Sequence, residues 1–330
     1  MVHHIWDAYP HIQKNLYRVK EIMISEMTVI HPSVKVKILD YINAPGKYVR
    51  AGLCLLFSAD EQGNIPEGKL YLAAYIELLH LATLIHDDVI DEADNRRGIT
   101  AIHKTYSNRI AIYAGDYLLA YANRLALKGI ELLDITKEDA TITNLNLLER
   151  LLAGELAQLM NQFRPEMTMK DYLKQIKGKT AFLFAIACQI GAWRPKASKK
   201  MGRIAFNLGQ QVGMAFQISD DLIDYRLSQE KSGKPHMQDI QNGIYTAPYL
   251  FAKSLSNDFK DYLETIDIKD LNDDQLMAIY HLIEESGAFK KTEELIDKFL
   301  NKAFINLEKL KISDTNQMKL FLAQLMNRQF

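Results

Sequence analysis

One pentapeptide pattern occurs twice in this chain, as Asp87-Asp88-Val89-Ile90-Asp91 and as Asp220-Asp221-Leu222-Ile223-Asp224. Each sets carboxylates at i, i+1 and i+4 inside an apolar run. On a helix of about 100° per residue the first and last Asp lie about 40° apart and one turn along, so both point the same way. Like charges this close repel and are costly to take out of water. A hard divalent cation with oxygen ligands relieves both problems, and Mg²⁺ is the usual ion where phosphate oxygens complete the shell. A lone acidic triplet reads as well as a solvated helix end. Two copies with similar apolar flanks, Ala82 to His86 and Ala215 to Ser219, favour two similar helices that share a polyphosphate site.

Basic and polar partners stand near these arms. Pro45-Gly46-Lys47-Tyr48-Val49-Arg50 places two cations three residues apart after a loop, where a starting helix would set them on one side and add free backbone amides. Arg96-Arg97-Gly98 follows the first arm closely, an arrangement that suits a ligand held by metal on one side and guanidinium on the other. Each cluster alone reads equally as a solvated charge pair; together, beside the Asp arms, they point to an anion. His80, two turns before the first arm, is placed to reach a diphosphate, whereas His86 reads as structural. Lys179-Thr180 opens an apolar run and reads either as site residues or as a helix-start charge and cap. Gln158 and Gln217 are polar residues on apolar helices and need buried partners.

The elements that must position these groups read as helices throughout. Apolar residues recur at i, i+3, i+4 and i+7, as in Leu145, Leu148, Leu151, Leu152 and Leu156, and period-two alternation is rare. Breaks are expected at His31-Pro32-Ser33, Asn43 to Gly46, Asp60 to Gly68, Asp94 to Thr100, Arg164-Pro165, Trp193 to Ser198 and Ser232 to Gly243, and near Asn257, Asn272 and Ser286. No linker composition marks a boundary. The expected fold is therefore all-α, one large domain over residues 1–330 with roughly ten or more helices around a central cavity. A net charge of −1 gives no global case for nucleic acid or an anionic membrane. The two cysteines, Cys54 and Cys188, lie in apolar segments and fit a reducing compartment. His3, His4 and Asp7 interrupt any opening apolar region, and the apolar stretch from Thr180 to Trp193 is too short to span a bilayer. The expectation is a cytoplasmic protein without a transmembrane segment.

The residues carry a strong resemblance to the trans-isoprenyl diphosphate synthases (polyprenyl synthetases), running from about Ile42 to about Tyr249. It rests on Gly46 to Arg50, Glu77 to His80, His86 to Gly98, Ala114 to Tyr117, Gly154-Glu155, Lys179 to Ala181 and Gly213 to Asp224, in the family's order. The resemblance implies an all-α isoprenoid synthase, usually a homodimer with room for a small non-catalytic subunit, that condenses isopentenyl diphosphate onto an allylic diphosphate. Asp87, Asp88, Asp91, Asp220, Asp221 and Asp224 would hold Mg²⁺, three ions by family likeness, on the allylic diphosphate. Arg96, Lys179, Lys234 and Gln158 would contact that diphosphate; Lys47, Arg50, His80 and Arg97 would bind isopentenyl diphosphate; Thr180 and Gln217 would line the reacting carbons. Ile244 stands where relatives usually carry a lysine, which bears on allylic binding.

Product length is expected to follow residues before the first arm. Thr83, Ala82, Leu79 and Ile76 fall on or near one stripe of its helix, spanning about 16 Å at about 1.5 Å per residue. Shorter-chain relatives place an aromatic at the position of Ala82; here that site is small, and Ala120 and Asn123 are expected to face it from the next helix. This favours a long product of about six to eight isoprene units, such as a quinone side chain, with geranylgeranyl or farnesyl diphosphate as the runner-up. A class I terpene cyclase is disfavoured because both arms read Asp-Asp-x-x-Asp, and a non-catalytic subunit because every arm Asp is present.

Overall fold

Helices start where the sequence supplies caps and stop where it supplies breakers. In a computed structural model describing residues 2–135, 146–195, 199–232 (backbone alone over 227–232), 237–310 and 314–327, almost every described segment is helical. Pro10 opens α1 (Pro10–Ser25), whose Ile12, Leu16, Val19 and Met23 form the buried stripe. Pro32 opens α2 (Pro32–Asn43), followed by α3 (Val49–Ser58) and α4 (Glu67–Ile90). A short hairpin, β1 (Asn95–Arg96) and β2 (Ile99–Thr100), then leads to α5 (Ile102–Thr105) and α6 (Asn108–Leu132), capped by the Ser107 hydroxyl. Next come α7 (Leu147–Met160), α8 (Met169–Ile176), a π-turn (Lys177–Ala181), α9 (Phe182–Ala192) and α10 (Lys199–Ser232). The chain continues through α11 (Gln238–Gln241), α12 (Ala247–Leu255), α13 (Asn257–Glu264), α14 (Asp273–Glu285), α15 (Ala288–Leu310) and α16 (Thr315–Asn327). Capping boxes at Thr168/Asp171 and Asn272/Gln275 fix the starts of α8 and α14.

Two compact units emerge. One comprises Met1–Ile142 and Ala187–Arg203; the other comprises Thr143–Ile186 and Ile204–Gln329. In the first, α4 is the central element, packed most extensively on α6 and also on α3 and α1. It is apolar on nearly every side and buried along most of its length. Among the described residues it is the one helix long and apolar enough to cross a membrane, yet 83% of its most apolar window is buried, as in a core helix. Near its start, the buried Lys69 ammonium donates to the carbonyls of Ile190, Gly191 and Trp193, closing the end of α9. In the second unit α12 is the hub, touching α8, α13, α14 and α15.

Some faces differ from their sequence reading. On α7, Leu151 is buried but Leu152 and Leu156 are exposed, and Leu145 lies outside the described residues. Ala120 and Asn123 on α6 are solvent-exposed, so they do not line α4. The buried side of α6 is carried by Ala111, Ala114, Gly115, Leu118, Ala122 and Leu125. The expected phase was off because both residues lie between these buried positions, on the opposite side of the turn. Ile76, Leu79 and Ala82 are fully buried and Thr83 nearly so.

Candidate active site

The first acidic arm occupies the C-terminal turn of α4, where a helix end already carries partial negative charge. Asp91 is its C-cap, donating its N–H to the Asp87 carbonyl. Asp88 is 1% exposed and fully engaged: the Arg96 Nε and Nη2 both reach its Oδ1 at 2.6 Å, and the Tyr41 hydroxyl donates to Oδ2 at 2.9 Å. Burial pushes the Tyr41 phenol well up, so it stays a donor. The hairpin makes this possible. Its two-residue turn puts Arg97 at φ 52° and Gly98 at φ 78°, the left-handed pair that a tight hairpin needs. Arg96 then points to the acidic arm while Arg97 reaches Gly46, where an added Cβ would lie 2.8 Å from its Nη1.

Arg97 thereby joins the loop before α3. Lys47 is not on that helix, as the spacing had suggested; Tyr48, left-handed at φ 48°, is the N-cap and α3 begins at Val49. Buried Glu77 on α4 accepts the Ala51 N–H at 3.0 Å and sits in the field of Arg50 and Arg97. Burial pushes Glu77 up and lowers the enclosed Arg50 to about 10, still a cation at neutral pH. His80 lies one turn along α4 from Glu77. The loop is held from outside by the N-terminal segment: Val2 bridges Gly46, and Trp6, fully buried, donates Nε1–H to the Lys47 carbonyl at 2.6 Å. The Trp6 ring fills the space over Gly52. His86 Nε2 lies 3.3 Å from Asp116 Oδ1, against Gly115.

In the second unit, α8 runs into α9 through the π-turn, which carries Lys179 and Thr180. They are neither a helix start nor a cap; a wide turn with one extra residue presents them, a device frequent at functional sites. Gly154 of α7 abuts this turn, with room for no Cβ (2.6 Å from the Lys179 N). Beside it, Lys179 Nζ meets Glu155 Oε2 at 2.6 Å. A hydrogen-bond chain runs on from there. Thr180 Oγ1 donates to Gln217 Oε1 at 2.6 Å, Gln217 Nε2 donates to Asp221 Oδ1 at 2.7 Å, and the Tyr172 hydroxyl donates to Asp221 Oδ2 at 2.5 Å. Asp221 is 5% exposed, and burial pushes its carboxyl up to about 6 despite those donors. Asp220 and Asp224, one turn apart on α10, remain half-buried.

A cavity of about 160 Å³ is lined by Gln158, Lys179, Thr180, Gln217 and Asp221. Ile244 lines it too, so the position usually held by lysine does face this site. Asp239 adds a carboxylate there that the sequence reading missed, as it missed Tyr41 and Tyr172, while Glu77 and Glu155 were singled out in motifs without a role. A Glu inside the apolar run Glu77-Leu78-Leu79-His80 is itself a signal for a buried cation; the tyrosines carry none. Lys234 lies outside the described residues.

The donor chemistry fits Mg²⁺. Among the described residues, no three Asp, Glu, His or Cys side chains form a ready cage. Each arm instead has its middle carboxylate bonded to protein donors and its outer two one turn apart. Mg²⁺ is ordinarily held this way, by one or two carboxylates with phosphate oxygens and water completing the octahedron.

Comparison with known proteins agrees with this reading. The polyprenyl synthetase family model matches residues 33–283. Component 2 of heptaprenyl diphosphate synthase from Bacillus subtilis is 34% identical over 273 residues, covering 82% of this chain and 76% of that protein. The geranylgeranyl pyrophosphate synthase of Lactobacillus brevis superposes with a TM-score of 0.85 at 29% identity, over 98% of this chain and 99% of that one. The polyprenyl synthase of Caulobacter crescentus, crystallised with calcium and isoprenyl diphosphate, gives a TM-score of 0.81 at 26% identity, over 95% and 94% of the two chains. This chain belongs to the polyprenyl synthetase family and is a prenyltransferase, a polyprenyl diphosphate synthase with the all-α isoprenoid synthase fold.

Two outcomes test this geometry. Gly52→Ala sets a Cβ 1.9 Å from the Trp6 ring and should destabilise the protein by ~1–3 kcal/mol in urea denaturation. For Asp221, the folded carboxyl near 6 lies above the unfolded value of ~3.9, so its stabilising contribution is complete below about pH 4 and is lost as pH rises through about 6. Metal-free Asp221→Asn should therefore be more stable than the parent at pH 7.5, by on the order of 1–3 kcal/mol, with little difference near pH 4. The Asn keeps an acceptor for Gln217, and the Tyr172 hydroxyl can turn to accept from its amide. Equal effects at both pH values would show that charge burial is not what distinguishes this site.

Proposed function

We propose that this single polyprenyl synthetase domain condenses isopentenyl diphosphate head to tail with an allylic diphosphate, repeatedly, giving an all-trans product of about six to eight isoprene units. The observation that carries the proposal is the sorting of charge by the hairpin: Arg96 bonds the acidic arm, while Arg97 joins Arg50 in the field of buried Glu77 and reaches Gly46 in the loop before α3. Such sorting suits an enzyme that must hold two diphosphates and ionise only one.

In this reading Asp87, Asp91, Asp220 and Asp224 present the carboxylates that hold Mg²⁺ on the allylic diphosphate, and buried Asp88 and Asp221 fix them in place. When bound, Mg²⁺ neutralises the charge that builds on the leaving diphosphate. Arg96, Lys179 and Gln158 contact the same diphosphate. Lys47, Arg50, His80 and Arg97 bind isopentenyl diphosphate. The allylic C1–O bond breaks with its electron pair going to the diphosphate, and the double bond of isopentenyl diphosphate attacks C1 through C4. A proton then leaves C2 to the departed diphosphate. The Thr180 hydroxyl donates its hydrogen bond to Gln217 Oε1, which leaves the Thr180 oxygen lone pairs available to the developing cation. Gln217 is itself oriented by Asp221.

Small Ala82 and Thr83, buried with Leu79 and Ile76 on α4, support a long product, as does the heptaprenyl name of the Bacillus subtilis relative. The likeness to a geranylgeranyl synthase reflects the fold, which does not by itself set chain length. Cytoplasmic placement and self-association remain part of the proposal. Exposed Ile112, Tyr113 and Leu127 on α6 support a homodimer, while the "component 2" name of the relative supports a second, different subunit. Light scattering of the purified chain separates the two.

Incubation with Mg²⁺, labelled isopentenyl diphosphate and several starters, read by mass spectrometry, tests the reaction; absence of any elongated product sinks it. Lys47→Ala and Arg50→Ala should raise KM for isopentenyl diphosphate by about 10- to 100-fold and leave the allylic KM nearly unchanged. A matched rise for both substrates would remove the assigned division of labour. Ala82→Phe should stop elongation at farnesyl or geranylgeranyl diphosphate. An unaltered product ladder would place the length determinant elsewhere.

A further inference from the structure

Trp6 has no part in the reaction as described, yet it meets the site's loop. Its ring is fully buried and fills the space over Gly52, a task that any large apolar side chain could perform. What an indole adds is one N–H donor. That donor goes to the Lys47 carbonyl at 2.6 Å, 41 residues along the chain. The oxygen belongs to the peptide between half-buried Lys47 and Tyr48, the left-handed N-cap of α3 at φ 48°. A residue with a Cβ keeps that conformation only where its surroundings over-determine it. They do so from two directions, because the Tyr48 hydroxyl also donates to the Ile42 carbonyl at 2.7 Å.

The segment that carries Trp6 is firmly anchored. Val2, Ile5, Trp6 and Tyr9 are all buried, and the short helical turn His4–Trp6 is capped by His3, whose Nδ1 accepts the Ile5 N–H at 3.2 Å. The Tyr9 N–H donates to the Trp6 carbonyl at 2.8 Å, and the Ile12 and Gln13 N–H groups donate to that of Tyr9. The segment is thus continuous with α1, which packs on α3 and α4. Val2 bridges Gly46, so the two residues before the left-handed Tyr48 are each held by it. Residues 2–9 precede the stretch 33–283 that carries the family pattern.

We propose that Trp6 is a positioning residue for isopentenyl diphosphate: its N–H fixes the peptide after Lys47, and with it the direction in which the Lys47 side chain leaves the loop. The proposal rests on the reading of Lys47 as a ligand of that diphosphate. Without the bond the Lys47–Tyr48 peptide can rotate and Tyr48 can leave the left-handed region, so that Lys47 is present but wrongly aimed. The loss then falls on binding of one substrate and spares the chemical step.

The test is steady-state kinetics of the whole chain with Mg²⁺, each substrate varied while the other saturates. Trp6→Phe keeps a ring over Gly52 without the donor; it should raise KM for isopentenyl diphosphate about 3- to 10-fold, with kcat and the allylic KM within about twofold of the parent. Trp6→Met, which also fills the space without a donor, should do the same. Ile5→Val loosens the same segment but leaves the bond in place, so it should lower the urea midpoint and change neither KM. Trp6→Phe/Lys47→Ala should have a KM no higher than Lys47→Ala alone, since both changes act through one contact. The positioning role is overturned by an unchanged KM in both Trp6 variants, by a matched rise for the two substrates, by an equal rise in Ile5→Val, or by additive losses in the double variant. If Lys47→Ala raises KM for isopentenyl diphosphate and the Trp6 variants do not, Lys47 keeps its assignment and Trp6 only fills the core. If Lys47→Ala itself leaves that KM unchanged, the assignment of Lys47 is what fails, and the proposal falls with it.

Discussion

A buried carboxylate must be paired, and much of this structure answers that demand. Asp88 and Asp221 are the most enclosed members of their arms, and each has both oxygens filled by protein donors. An uncompensated charge at such depth would cost several kcal/mol. Each arm therefore draws one donor from nearby and one from far along the chain: Arg96 and Tyr41 for one, Gln217 and Tyr172 for the other. The outer carboxylates of each triplet stand one turn apart on the same helix.

Aromatic hydroxyls recur for a physical reason. A tyrosine beside a buried carboxylate stays protonated because burial and the adjacent negative charge both oppose its ionisation, as at Tyr41 and Tyr172. It donates a hydrogen bond without adding charge, where a lysine would bring a second ion to desolvate. Arg96 is spared that cost because it is only half-buried on the hairpin. Lys69 shows the opposite case, an ammonium enclosed by carbonyls and lowered by burial to about 7.

The chemistry was legible in the sequence wherever it depends on local spacing. The Asp arms, the Arg96-Arg97 pair and the helical class all derive from periodicity and residue type. Distant pairing was not legible, since nothing near Tyr172 signals an Asp 49 residues away. The loop at Lys47 was found but misplaced onto a helix, because the left-handed Tyr48 that delays α3 is held by tertiary contacts, including its hydroxyl on the Ile42 carbonyl. Ala120 and Asn123 were assigned to α4 from proximity in sequence, whereas the packing phase of α6 turns them to solvent. A family likeness supplied roles that spacing alone left open, as for Gln217.

The π-turn has a consequence for how this sequence can drift. It accommodates one residue more than a regular helical turn while α8 continues into α9. Removing one residue of Lys177–Ala181 would let the segment relax to an ordinary α-helix with α8 and α9 still in phase, because the wide turn is what absorbs the extra residue. The loss would fall on the turn alone, changing how Lys179 and Thr180 are presented while the helices on either side stay in place. A single-codon deletion here is therefore a local event, whereas the same deletion within α8 or α9 would rotate everything beyond it by about 100°.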